Sequence, residues 1–471
     1  MMSDALRFLE FPASQAVTDN LALPLCSVRP SNLVSCLSEL PKSATAQANL
    51  LGFSGEAGQI LLFPDNTGAL AGGVIGLGNQ SIFSGFGNAA AALPSGHTWR
   101  IAQNDLCTEA AELGFLLGAY RYQALKAKKA VLSSLANASL RSRIIAGSVM
   151  FVRDLINTPA NILGPSELAD VAMRLASRFG AEAECIRNEP LTARYPAIQA
   201  VGAGSSRPPA VVVFKWKGRN AAQKSPLISL CGKGVCFDTG GYNLKPSAGM
   251  KLMRKDMGGA AIALGLAASI MALDLPVRLE LRIGCAENSI SGSAMRPSDV
   301  IQTRAGITVE VSDTDAEGRL VLCDLLNEAC EAKPDWLFDI ATLTGAARIA
   351  LGPDLPALFC NNDELANAVL AAGRATDDQM WRMPLHGGYA GWLASSFADI
   401  SNISSKPFGG AITAALFLHH FVSSEIPWAH IDTYAWNDSS RPGKPEGGEA
   451  QTLRALLQAI ESFTNSTGKT D

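Results

Sequence analysis

From residue 210 onward the chain repeats one pattern: a short apolar run, a break, then a helical stretch. AVVVFKW (210–216), PLISLCG (226–232), VRLELRIGC (277–285), ITVEV (307–311) and DWLFDIATL (335–343) are the strand candidates. Several are β-branched or apolar without alternation, as strands covered on both faces are. Between them, MGGAAIALGLAASIMAL (257–273) and AEGRLVLCDLLNEACEA (316–332) read as helices. This alternation predicts an α/β fold with a mostly parallel central sheet flanked by helices. Ligands of open α/β sheets bind beyond the carboxyl ends of the strands. The loops after these strands are therefore where chemistry is expected.

A chain of 471 residues exceeds one ordinary domain. The first part, 1–150, is expected to be a smaller α/β domain. ILLFPD (60–65), GGVIGLGN (72–79) and GHTWRIA (96–102) are its strand candidates. Its glycines form no GxGxxG between a strand and a helix, so no nucleotide site is assigned. A long helical pattern, roughly Glu109 to Ile156, then joins it to a catalytic domain at 151–471. The basic cluster KAKK (126–129) on that pattern reads as a solvated face. NTPANILGPSELAD (157–170) breaks the helix, and Ser166 looks like the cap of the next one.

Net charge is −4, which gives no general affinity for phosphate backbones. The ten cysteines form no CxxC pair and lie among apolar neighbours, as reduced thiols of a cytoplasmic protein do. The stretch MMSDALRFLEFPASQ has no basic start followed by a long apolar run, so no secretory signal is expected. The run Gly258 to Leu273 is too short to span a bilayer and reads as a buried helix, so no membrane partner is expected.

Only 17% of residues are charged, yet EVSDTDAEGRL (310–320) holds Asp313, Asp315, Glu317 and Arg319 within seven positions. It lies between a predicted strand and a predicted helix. Acidic residues at a helix start can be simple caps. A second cluster weighs against that reading. CGKGVCFDTGGYNLKPSAGMKLMRKDMGGAA (231–261) follows the strand PLISL and offers Lys233, Asp238, Lys245 and Asp256. Like charges gathered in a cleft need cations, and hard divalent ions suit clustered carboxylates. Histidine zinc sites are not supported: the five histidines show no HxxxH or HExxH spacing, and His419–His420 and His430 read as packed side chains. No GxSxG marks a serine nucleophile.

These residues resemble the leucyl aminopeptidase family of two-metal cytosol aminopeptidases. The match runs through GKG-x-x-FD-x-GG-x-x-x-K (232–245), KDMGGAA (255–261) and TDAEGRL (314–320). It extends over RDLINTPAN, RPSDVI, DIATLTGA, FADISNI, GGAITAALFL and WAHIDTYAW. It covers about 150 to 440, and the first 150 residues show none. The resemblance implies that Lys233, Asp238, Asp256, Asp315 and Glu317 ligate two divalent ions. Asp238 and Glu317 would touch both, Lys233 and Asp256 the tighter site, and Asp315 the more exchangeable one. Zinc or manganese is expected, with magnesium or cobalt compatible.

The resemblance further implies that Lys245 and Arg319 are the catalytic cations, and that Met253, Thr342, Leu343 and Gly345 bind the substrate's first residue. The implied activity is removal of N-terminal, leucine-like residues from peptides by a metal-bridged hydroxide, with bicarbonate held near Arg319 as base. A homohexamer is implied in the same way. Alternatives are a cysteinylglycine dipeptidase and, from another class, a DNA-binding architectural protein. The N-terminal segment opposes the latter with five basic against nine acidic residues up to position 125. The sequence departs from the family at Ser312 and Asp313, the latter standing where Asn is usual. Two residues from Asp315, Asp313 is expected to tighten metal binding or shift metal preference from behind that ligand, or to cap the helix.

Overall fold

The computed structural model describes residues 21–102, 108–126 and 132–467. The MMSDALRFLEFPASQ stretch, Cys107, and Lys128 and Lys129 of the basic cluster lie outside them. The chain forms two compact units. One runs up to Met150 and takes in Asn437–Gly447, a segment that the sequence division puts in the catalytic part. The other holds Phe151–Trp436 and the chain from Gly448.

The first unit is built on five strands: β1 (Leu23–Val28), β2 (Ile60–Pro64), β3 (Leu70–Gly76), β4 (Thr98–Ile101) and β5 (Ser134–Leu135), in the order β2-β3-β1-β4-β5. The β1–β3, β1–β4 and β4–β5 pairs are parallel, and β2 runs antiparallel to β3. Its helices include Lys42–Leu51, Ile82–Ala92 and Thr108–Ala119. The long helix expected over Glu109 to Ile156 is two helices, Thr108–Ala119 and Leu140–Asn157. Leu135 is buried in an apolar cluster with Trp99, which draws Ser134–Leu135 into the sheet beside β4. Asn137 then turns the chain with φ at +58°. Tertiary burial overrides local helix propensity there.

The second unit carries an eight-stranded sheet. Its strands are β6 (Glu182–Ile186), β7 (Ala210–Lys217), β8 (Leu227–Asp238), β9 (Arg278–Asn288), β12 (Trp336–Ala341), β13 (Ala357–Cys360), β14 (Trp381–Arg382) and β16 (Trp428–Asp432). Their order is β14-β13-β16-β12-β8-β9-β7-β6. The four central strands β16, β12, β8 and β9 are mutually parallel, whereas β13, β7 and β6 add antiparallel pairings toward the edges. ITVEV does not join this sheet. It forms β11 (Thr308–Glu310), antiparallel to β10 (Val300–Gln302) and parallel to β15 (Ile400–Ser401). A three-residue strand is too short to cross the layered core, and its role is to present the loop that follows.

Helices Gly258–Ala272 and Gly318–Glu331 cover opposite faces of the central strands. A Cβ on Gly232 would meet the Ala260 backbone at 2.7 Å, while one on Gly284, paired with Lys233, would meet Val321 at 2.7 Å. Side chains alternate along a strand, so the neighbours Gly232 and Lys233 face opposite ways. Fourteen residues of the Gly/Ala-rich helix are buried, which explains its apolar composition without a bilayer. The helix Pro165–Arg178 starts two residues before the expected position. Gly164 is its cap residue, and the Glu167 carboxylate accepts the Gly164 N–H at 3.1 Å.

Candidate metal centre

Because β8, β9, β12 and β16 are parallel, their carboxyl ends share one edge of the sheet. Asp238 closes β8, Asn288 closes β9, Thr342 follows β12 and Asp432 closes β16. Lys233 lies further back on β8 with its ammonium directed at this edge. Asp256 sits in the 3-10 turn Met253–Met257, and Glu317 caps the helix Gly318–Glu331. The structure thus brings together all five residues marked as ligands, although 84 positions separate the first from the last.

Lys233 Nζ lies 2.8 Å from Asp256 Oδ2 and 2.8 Å from Glu317 Oε1, and donates to the Thr342 carbonyl at 2.9 Å. Lys245 Nζ lies 2.7 Å from Asp238 Oδ2 and 2.5 Å from Asp315 Oδ1. Thr342 Oγ1 donates to Asp256 Oδ1 at 2.7 Å. Arg319 is buried, and its Nη1 donates to the Asn402 carbonyl at 2.6 Å. Leu343 is half-buried beside Thr342, Met253 opens the turn that carries Asp256, and Gly345 borders open space at the first position of the next helix.

Three glycines make this packing possible. Gly240 and Gly241, at φ +89° and +63°, turn the chain back after Asp238 in a conformation that side chains resist. At Gly318 a Cβ would stand 2.6 Å from Lys233 Cε, so only glycine leaves room for the lysine.

The electrostatics express crowding. Four carboxylates, Asp238, Asp256, Asp315 and Glu317, face two ammonium groups. Burial, with the Asp238 charge next, raises Asp315 to about 6 and pushes Glu317 well above the usual glutamate value. Burial also disfavours charge on Asp256 but is outweighed by Lys233, so its pKa lies below the ordinary value. Burial works against the Lys233 and Lys245 ammoniums too. Asp256 and Glu317 overcome it for the first, Asp238 and Glu317 for the second, and both pKa values are raised. Arg319 is pulled down to about 10 by burial.

The donor set fits divalent ions. Asp238, Asp315 and Glu317 each offer an oxygen within 4.8 Å of the others. Asp256 Oδ2, Asp315 Oδ1 and Glu317 Oε1 are buried oxygens that accept no hydrogen bond. Each lies against a lysine ammonium, Asp256 Oδ2 and Glu317 Oε1 at 2.8 Å from Lys233 Nζ and Asp315 Oδ1 at 2.5 Å from Lys245 Nζ. Buried oxygens are normally satisfied, and a cation would satisfy these.

The turn holding Asp315 rests on Asp313 and on three asparagines that local spacing did not single out. Asp313 Oδ1 accepts the Asp315 N–H at 2.9 Å, so the departure at this position supports a ligand's backbone. Asn243, Asn288 and Asn402 bond the rest of the turn. Asp432 holds the loop after β12 by accepting the N–H groups of Leu343 and Thr344 and the Thr344 hydroxyl. The histidines stay apart from this centre as ligands. His430 is buried with Nδ1 2.6 Å from Asp339, and His419 stacks on Trp428.

Residues 150–457 match the model of the cytosol aminopeptidase family, catalytic domain. Residues 23–137, where the sequence alone showed no resemblance, match the M17 aminopeptidase N-terminal domain. A protein of Pseudomonas fluorescens (strain SBW25) named "Probable cytosol aminopeptidase" is 42% identical over 336 residues, 70% of this chain and 66% of its own length. The chain thus spans about two thirds of that relative. The crystal structure of a cytosol aminopeptidase from Coxiella burnetii superposes with a TM-score of 0.90 at 44% identity, covering 95% of this chain and 98% of the other. The bottromycin maturation enzyme BotP in complex with Mn superposes at 0.85 with 31% identity, covering 94% of this chain and 100% of the other. With its catalytic and N-terminal parts both matched, and its carboxylates gathered at the carboxyl edge of the sheet, the chain belongs to the M17 cytosol aminopeptidase family.

Proposed function

We propose that the chain is a metal-dependent exopeptidase that removes N-terminal residues from peptides, with 151–471 as its catalytic domain. The observation that carries this reading is the set of buried carboxylate oxygens that accept no hydrogen bond around Lys233 and Lys245. Lys233, Asp238, Asp256, Asp315 and Glu317 would hold two divalent ions, zinc or manganese first, with magnesium or cobalt compatible. Bound there, the ions would supply Lewis acidity that makes water nucleophilic at neutral pH and an anchor for a free α-amine.

The chain's own groups have separate tasks. Lys245, a held cation at the mouth of the carboxylate cluster, stabilises negative charge developing on the scissile carbonyl oxygen. Arg319 keeps its Nε buried without a partner and can receive an anion such as bicarbonate, which would act as the base. Thr342, Leu343 and Gly345 offer backbone to the substrate, and Met253 bounds an apolar pocket for a leucine-like side chain. Such pockets discriminate only weakly between similar residues.

Hydrolysis of leucine-p-nitroanilide, its N-acetylated form and cysteinylglycine tests the reading. Rapid cleavage of the first, none of the second and slower cleavage of the third are expected. Cleavage of the acetylated substrate at a similar rate would remove the exopeptidase assignment. The protein is also proposed to be cytoplasmic and to assemble as a homohexamer. Native mass measurement should then give six chain masses, and a monomer would refute that assembly.

A further inference from the structure

We propose that Asn243, Asn288 and Asn402 are positioning residues that set the geometry of the Asp315 ion site, an inference that rests on the metal-dependent reading above. The three come from different segments: the glycine turn after β8, the end of β9 and the residue after β15. All three converge on the turn Ser312 to Asp315. Asn402 Oδ1 accepts the N–H groups of Ser312 at 2.8 Å and Asp313 at 3.2 Å, and its Nδ2 donates to the Asp313 carbonyl at 2.6 Å. Asn243 Oδ1 accepts the Thr314 N–H at 3.0 Å and the Thr314 hydroxyl at 2.9 Å, while its own N–H donates to that hydroxyl at 2.8 Å. Asn288 Nδ2 donates both to the Thr314 carbonyl at 3.0 Å and to Asp238 Oδ1 at 2.8 Å. Asp315's N–H goes to Asp313 Oδ1.

The consequence is a turn whose backbone is held from three sides. Asp315 is placed by it. Asn288 ties that turn to Asp238, which with Glu317 would share the Asp315 ion site. Asn402 adds a further link, since its main-chain carbonyl receives Arg319 Nη1. One residue therefore meets the ligand loop through its side chain and Arg319 through its main chain.

The choice of asparagine follows from charge. The Asn402 side chain accepts and donates at once, and the Asn288 side chain donates to a carboxylate and a carbonyl; an ionised carboxylate does neither. An aspartate would also add a like charge beside Asp238 and Asp315, where burial already disfavours charge on Asp315. A turn whose backbone is tied to three separate segments is held rigid. Groups that orient ligands without touching the ion change affinity by roughly 10–100-fold.

The decisive experiment is calorimetric titration of the metal-stripped full chain with Mn²⁺, comparing wild type, Asn402→Ala and Asn243→Ala. The second, Asp315-bearing step should weaken by roughly 10–100-fold in each variant, with the first step within about twofold of wild type. Asn243 is exposed in a surface turn, so that variant decides the question if the buried Asn402→Ala fails to fold. Two unchanged steps in both variants, or equal weakening of both steps alongside a lowered Tm, would overturn the inference. A wild-type chain that takes up no Mn²⁺ would instead overturn the metal-dependent reading and this inference with it.

Discussion

Lys233 owes its place to a residue without a side chain. It is almost wholly buried, its stem running against Gly318 and its ammonium closed in by Asp256, Glu317 and Thr342. Gly318→Ala would bring a methyl within 2.7 Å of the ammonium nitrogen. The lysine would have to leave its carboxylates. The expected result is a fall in divalent-ion affinity of roughly tenfold or more, as for lost orienting contacts, with a smaller change in unfolding midpoint. Wild-type ion affinity in this variant would show that Lys233 is not held as described.

At this scale the sequence was legible where chemistry is local. TDAEGR and GKG-x-x-FD stand out because unlike residues crowd together in a lightly charged chain. The asparagines did not stand out, because each meets its partners across 26 to 90 positions and looks like an ordinary turn residue in its own window. Asp432 escaped notice for the same reason: it reads as the end of a strand until the loop after β12 folds over it.

Elements are joined by buried carboxylates away from the ion site. Asp339 on β12 accepts Trp428 Nε1 at 2.7 Å and faces His430 Nδ1 at 2.6 Å, both on β16. Asp339→Ala leaves two buried donors unsatisfied. It should cost about 3–5 kcal/mol, read as a lower denaturant midpoint with circular dichroism retained. A change below 1 kcal/mol (roughly the scale of surface substitutions) would refute this.

A second joint is Asp324, on the helix Gly318–Glu331. Its carboxylate accepts the N–H groups of Ala197, Ile198 and Arg304, yet burial raises its pKa from 3.8 to about 6. The folded state then binds this proton more tightly than the unfolded chain does. Its stabilising contribution is complete below about pH 4 and is lost as pH rises through about 6, up to about 3 kcal/mol in all. Asp324→Asn should remove this fall, so the difference in stability between variant and wild type should change across pH 4 to 6. A pH-independent difference would contradict it.

Elements show the limits of periodicity. AVVVFKW marks β7 because burial on both faces favours apolar side chains, and VRLELRIGC marks β9 although it buries Glu280 and Arg282, which pair with each other and with Glu328. ITVEV has the same look, yet a strand's sheet depends on its partners, and Val300–Gln302 and Ile400–Ser401 are the partners here. The Glu109 to Ile156 pattern misleads in the opposite sense, since a two-residue strand interrupts it.

The whole molecule follows from the parallel centre of its large sheet. Parallel strands put Asp238, Asn288, Thr342 and Asp432 at one edge, and glycines admit the lysine between them. Antiparallel pairings toward the margins do not disturb that edge. The first unit has its own sheet and core, and its composition carried no chemistry to read.

The central claim is that this edge is a two-ion hydrolytic centre. Its most direct test is leucine-p-nitroanilide hydrolysis by metal-stripped protein with Mn²⁺ or Zn²⁺ restored, beside an Asp315→Ala, Glu317→Ala double variant. Activity that returns with the ion in the wild type and is at least about 10³-fold lower in the folded variant is the predicted result, in keeping with the loss of metal and electrostatic catalysis together. Equal activity in the double variant, or none from folded wild type with any divalent ion, would contradict the account.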